Sequence, residues 1–450
     1  RLTSLVTALG NTVLRYSPTS EIKSLLGGAS FGFACRLVGA ASTFIAQIVL
    51  ARWMGADALG IYVYAISWCL LLSVVASLGL TGPATFRFVG KGLAENNEQA
   101  IAGFMRRGTQ IVLGASLLIT GIGLLFVFSF AVDQAPNLVA VITLVLVPFF
   151  ALLYWMAGLA QSLSWHALAF LPSLVFRPIS LLLAVVIMWS LGATLTPVSV
   201  ISAQAVTIVV VMAVQTMLLR RALRQRFKPT AREYDTSTWV RTALPMLAMS
   251  LLMHSFLELK LILDGQYLPS DELGVLNAAF RLGFLIMWGI VATNAITVPR
   301  SSKLYAAGDT EALQQTIARG TQLQFWGSIL ALIGFIFGGR WLLSLFGTEF
   351  MVGYQALIII AISQVVVAGF GPGSHLLNIS GHQRQCLVVY LGTAPVLICL
   401  HFLLTPRFGM HGAAFAALGT LALQSFFANL ITVRRLRITP SILSFRSAAK

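Results

Sequence analysis

The stretch Ser250–Asp264 reads SLLMHSFLELKLILD. It lies inside a run apolar enough to cross a bilayer, yet carries His254, Glu258, Lys260 and, at its far end, Asp264. An ionisable group at membrane depth costs roughly 2.5–3.5 kcal/mol on insertion scales and tends to mark a pathway or a ligand site. The remainder of the chain decides whether this is such a depth. Of 450 residues, 58% are hydrophobic and 10% charged, with a mean hydropathy of +0.87. A water-facing surface needs about 25% charged residues, so the composition excludes an ordinary soluble domain.

Uncharged runs such as Ile111–Val132, Leu138–Leu163, Val198–Leu219 and Leu357–Ser380 each meet the roughly 20 residues a helix needs to cross about 30 Å of hydrocarbon. They are continuous rather than alternating, which predicts helices and not barrel strands. Twelve helices are expected at about 25–50, 60–86, 109–132, 138–163, 167–191, 198–220, 240–263, 273–299, 318–338, 350–378, 386–404 and 410–433. The fold class is therefore an all-α polytopic membrane protein. The first 24 residues are polar and basic and lack the apolar core of a cleavable signal. Cys35, Cys69, Cys386 and Cys399 all fall inside expected spans, which predicts buried thiols rather than a disulfide or metal framework.

A formal charge of +16 could suggest nucleic acid, but its distribution argues otherwise. With connections alternating sides, 23 Lys and Arg fall on one side and only Arg52, Arg340 and Arg407 on the other. The positive-inside rule then places both termini in the cytoplasm and leaves the basic face to anionic lipid. Loops on the opposite side, such as Asp133–Asn137, Gly192–Pro197 and Pro406–Gly409, have no room for a catalytic domain.

The chain repeats itself. Arg107-Gly-Thr-Gln110 recurs as Arg319-Gly-Thr-Gln322 at an offset of 212, and Asp57-Ala-Leu-Gly60 as Asp271-Glu-Leu-Gly274 at 214. The repeat unit holds six spans, an even number, so both halves point the same way, an arrangement that places substrate between them. The expected layout is a cytoplasmic segment 1–24, an N-lobe 25–220, a basic linker 221–239, a C-lobe 240–433 and a basic tail 434–450.

The run IVLARWMGADALGIYVY at Ile48–Tyr64, with Ser77-Leu-Gly-Leu80 and Arg87 after it, resembles the start of polysaccharide-repeat flippases. These form the polysaccharide transporter branch of the multidrug/oligosaccharidyl-lipid/polysaccharide exporter superfamily. LGVLNAAFRL at Leu273–Leu282, followed by Pro299 and Gly308-Asp309, carries the same signature in the second half. The resemblance implies a two-lobed, V-shaped bundle in the bacterial inner membrane. It would move an undecaprenyl-pyrophosphate-linked glycan through a cationic cavity lined by the first, second, seventh and eighth helices. Family members carry an aspartate in the outer third of the seventh helix, where this chain has Glu258.

At 1.5 Å per residue, Arg36 lies about 20 Å into the first helix, Arg177 about 15 Å into the fifth and Arg281 about 14 Å from the outer end of the eighth. Guanidinium groups pair bidentately with phosphate oxygens, so Arg36 and Arg281, and more weakly Arg177, are the candidates to bind a pyrophosphate. The plain alternative is structural, most of all for Arg177, which precedes Pro178. Glu258 and His254 are four apart and share a helix face. They are candidates for coupling or gating through a proton, with Glu258 equally able to serve as counter-ion to Arg281 or Arg36. Lys260 is close enough to the outer surface to snorkel. Gly369–Gly373 reads as a helix break and a hinge.

No GxxxxGK[ST] run is present, so the energy source is a proton or other ion gradient, the membrane potential or the substrate's own gradient. No cofactor, metal or enzymatic activity is expected. The expected partners are the lipid-linked glycan, membrane lipids and a glycan polymerase or export proteins, and not nucleic acid. Two rivals stand beside the flippase: an ion-coupled multidrug or metabolite antiporter of the same superfamily, and a non-transporting scaffold of a glycan-export complex.

Overall fold

The computed structural model describes residues 21–130, 137–227, 233–254 and 256–442, and among them every regular element is helical. In order these are α1 (Glu21–Ala76), a π-helical turn at Leu80–Ala84, α2 (Thr85–Ala94), α3 (Glu98–Phe130), α4 (Leu138–Ser162) and α5 (His166–Phe170). A second π-helical segment, Leu171–Phe176, leads into α6 (Arg177–Ser190) and α7 (Pro197–Arg226). The second half holds α8 (Thr236–His254), α9 (Phe256–Asp264), α10 (Ser270–Gly283), α11 (Leu285–Ala306) and α12 (Thr310–Ser344). A 3-10 turn at Thr348–Gly353 precedes α13 (Tyr354–Phe370), α14 (Gly373–Ile379) and α15 (Gln383–Leu436).

Nine helical stretches among the described residues are long and apolar enough to span a membrane. Two of them contain a joint where a glycine adopts a conformation closed to other residues: Gly55 in α1 (φ 81) and Gly409 in α15 (φ 57). Each divides its helix into two crossings, and α8 with α9 supply the twelfth. The chain is a multi-pass, all-α membrane protein of twelve crossings.

Several boundaries differ from the sequence expectation, each for a local reason. The second crossing stops at Ala76 rather than near residue 86, because Leu78 (φ 48) and Gly79 (φ 74) turn left-handed and Pro83 follows. Hydropathy does not change there, so the break is invisible to it. The third and ninth crossings run past their apolar stretches because side chains cap them further out. Asn97 Oδ1 accepts from Ala100 N at 2.9 Å and Asp309 Oδ1 from Ala312 N at 2.9 Å, the N-cap bond that satisfies an orphan amide. The break expected at 369–373 is present, with Gly371 at φ 72.

The described helices divide into two compact units, Arg1–Trp53 with Ala65–Glu258, and Met54–Tyr64 with Leu259–Lys450. In the first, α4 is the central helix, burying Phe150, Leu153 and Trp155. Trp155 packs against Phe104, which meets Trp239 edge-on at 5.3 Å; its indole N–H donates to Thr109 Oγ1 at 2.9 Å. In the second, Leu313, Ile317, Leu376 and Ile438 form a buried cluster. Lipid tails are as apolar as leucine, so such units cohere by close packing and interhelical hydrogen bonds.

Both sequence repeats acquire a structural meaning. Arg107 of the first copy donates to Thr236 Oγ1 at 3.1 Å and stacks over Tyr234 at 5.5 Å. Thr321 of the second copy donates to Pro440 O at 2.8 Å. Each copy thus holds the segment that follows the sixth crossing of its own half. The other repeat meets itself. A Cβ on Gly60 would lie on the carbonyl of Ser270, and one on Gly274 on the carbonyl of Ala56, so residues 56–60 and 270–274 cross with backbones in contact. Glu349 Oε1 accepts from Ala56 N at 2.7 Å, and Ser270 Oγ donates to Asp57.

Candidate functional site

In the first unit the two candidate arginines flank one element. Gly32 and Gly39 lie on the same face of α1 as Arg36 and press against Phe170 and the Leu174 carbonyl. Arg36 is exposed, with its guanidinium 5.6 Å from the centre of the Phe170 ring. Arg177 begins α6 at the other end of the π-helical segment and sits 5.3 Å over Phe150. It is half-buried, and both it and Glu258 lie within electrostatic reach of the Tyr154 hydroxyl. Phe150 and Tyr154 are four apart on α4 and so present one face. The structure therefore brings together Arg177, Tyr154 and Glu258, two residues singled out in the sequence and one not. A ring face attracts a cation while leaving guanidinium N–H groups directed outward, a geometry suited to an anionic ligand.

Arg281 lies in the last turn of α10 in the second unit and is half-buried. Lys260 departs from what depth counting suggests. That lysine does not snorkel: it is 1% exposed, with its ammonium 5.4 Å from the Phe280 ring and 5.9 Å from Phe284. The two rings stack on each other at 5.9 Å and offer the ammonium apolar walls with negative faces, which offsets part of its desolvation. The His254 side chain lies outside the described residues. Of the cysteines, Cys35, Cys69 and Cys386 are buried as expected, but Cys399 is exposed on α15.

The second unit also holds a buried polar cluster that the sequence expectation does not include. Asp264 and His401 are both 0% exposed, and Asp264 Oδ1 lies 2.6 Å from His401 Nδ1. Thr405 Oγ1 donates to the same carboxylate oxygen at 2.9 Å. His401 and Thr405 are four apart in the otherwise apolar run Leu400–Thr405, a spacing legible in the sequence, and Asp264 closes the stretch Ser250–Asp264. The imidazole and the carboxyl group are thus paired with no exposure to solvent. Among the described residues no group of three or more His, Cys, Asp or Glu could hold a metal.

Compared with known proteins, residues 245–403 match the MatE family model. Against curated proteins the sequence finds no match. The fold is shared with solved transporters at low identity. An inward-facing multidrug resistance MATE family transporter of the MOP superfamily superposes with a TM-score of 0.70 at 13% identity, covering 91% of this chain and 98% of the other. Lipid II flippase MurJ, in an inward closed conformation, gives 0.68 at 12% identity, covering 89% and 87%. A MOP superfamily transporter from Pyrococcus furiosus, described by a reversed polarity of its binding pocket, gives 0.61 at 13% identity, covering 95% and 98%.

Proposed function

We propose that the protein is a flippase that carries an undecaprenyl-pyrophosphate-linked oligosaccharide across the bacterial cytoplasmic membrane by alternating access, with both termini in the cytoplasm. The fold is common to multidrug transporters and to a lipid flippase, so fold alone leaves both readings open. The observation that carries the choice is the sign of the in-span charge. Arg36, Arg177, Lys260 and Arg281 are the cations. Of the two carboxylates in the stretch Ser250–Asp264, Asp264 is held by His401 and Thr405, so cations outnumber carboxylates at this level. A pyrophosphate leaving water needs cationic partners, whereas a cationic drug needs the reverse. Arg36 and Arg281 take the pyrophosphate, Arg177 supports it beside Tyr154, and Glu258 with His254 couples or gates the change of state.

The decisive measurement is glycan export in cells lacking the native protein. Arg36→Ala and Arg281→Ala are each expected to reduce surface glycan at least tenfold at unchanged protein level. Full export by both variants sinks the charge-binding role. The second reading, a multidrug or metabolite antiporter, draws on the MatE match over residues 245–403. It is favoured if the chain confers drug resistance with no glycan phenotype.

A further inference from the structure

The exposed face of α7 changes character along its length. Val206 and Val210 are 66% and 56% exposed, Met217 is 56% exposed, and Ala213 lies exposed between them. Continuing the same helical stripe toward the C-terminal end come Arg220, Arg221 and Arg224, also exposed. A shallow, open cleft of about 660 Å³ along this one helix is lined by Met212, Ala213, Thr216, Met217 and these three arginines with Gln225. The opposite stripe of α7, with Gln204, Val211, Gln215 and Leu219, is buried, and Gln215 Nε2 donates to Leu168 O at 3.3 Å. The helix is thus anchored by one face and leaves the other open.

Charge distinguishes the three arginines from their neighbour. Arg226 is committed to the protein, stacking over Trp165 at 5.9 Å and Phe227 at 5.7 Å and donating to Leu163 O at 3.3 Å. Arg220, Arg221 and Arg224 form no ion pair among the described residues, and α7 carries no acidic residue at all. An apolar track ending in three unneutralised guanidinium groups complements a molecule with an acyl chain at one end and a phosphate at the other. The positive-inside bias puts the arginine end at the cytoplasmic leaflet, where anionic phospholipid is available and basic clefts beside spanning helices bind its headgroups.

We infer that this cleft is a binding site for an anionic glycerophospholipid, its phosphate on Arg220, Arg221 and Arg224 and its acyl chain along Met217, Ala213 and Val210. The inference is independent of the transported substrate. Purified full-length protein in neutral detergent is titrated with phosphatidylglycerol, and retained lipid is read by native mass spectrometry. A cation near an anionic surface is worth roughly fivefold in affinity, so the combined Arg220→Gln, Arg221→Gln and Arg224→Gln variant should lose on the order of 100-fold. Met217→Trp, which fills the apolar end and keeps the charges, should also lose retention, while Arg434→Gln with Arg435→Gln, elsewhere on the basic face, should not. Undiminished retention in the triple variant, or equal retention of phosphatidylcholine, overturns the site. So does inorganic pyrophosphate binding unaffected by Met217→Trp, which would make it a phosphate site. Preference for undecaprenyl pyrophosphate over phosphatidylglycerol would reassign the cleft to substrate and overturn it likewise.

Discussion

A carboxylate and an imidazole that share no surface with solvent are costly to separate. Removing one partner of a buried pair costs about 3–5 kcal/mol, because the other is left uncompensated, whereas replacing both by apolar groups can be near neutral. His401→Leu should therefore lower thermal stability in detergent more than the combined Asp264→Leu and His401→Leu variant does. If the two single losses simply add in the double variant, the pair is not coupled. The sequence displayed Asp264 and the 401/405 spacing, but nothing in one dimension says that two helices 137 residues apart meet at that level. Lys260 fails in the opposite sense. Its depth was legible from helical rise, yet its direction depends on Phe280 and Phe284, which turn a residue able to reach water into a buried one.

Helix ends and crossings show which signals a hydropathy profile omits. It sees apolar length, so it found the crossings. It does not see the left-handed turn at Leu78–Gly79, which lets Gly79 approach the Ala243 carbonyl, or the caps that carry α3 and α12 beyond their apolar stretches. Gly369–Gly373 was readable because proline and glycine are local signals. The repeat motifs were readable as repeats, but their roles were not: both copies of Arg-Gly-Thr-Gln act through a partner more than 100 residues away. The crossing of residues 56–60 on 270–274 depends on absent side chains. Gly60→Val would drive two methyl groups into the Ser270 carbonyl, and overpacking of this kind costs typically about 1–3 kcal/mol. Its melting temperature should fall and its transport should drop with it. Gly289→Ala, where an added Cβ meets nothing within 4 Å, should leave both unchanged. Equal melting temperatures for the two variants would refute the close crossing.

For the molecule as a whole, membrane class, crossing number and two-half organisation all follow from composition, apolar length and an internal offset, because these are set by the solvent. The identity of the cargo is set by a few charges whose neighbours only the fold supplies. Cells expressing the chain should gain glycan export without gaining resistance to cationic drugs, and minimum inhibitory concentrations measured beside the export assay separate the two. Gly60 meets Ser270 and Gly274 meets Ala56, and an offset of 214 relates Ala56 to Ser270 as it relates Gly60 to Gly274. That reciprocity, in which i touches j and j touches i, is the signature of an isologous dimer interface. A half-length chain carrying a single copy of the motif would find both faces of this joint on a second copy of itself.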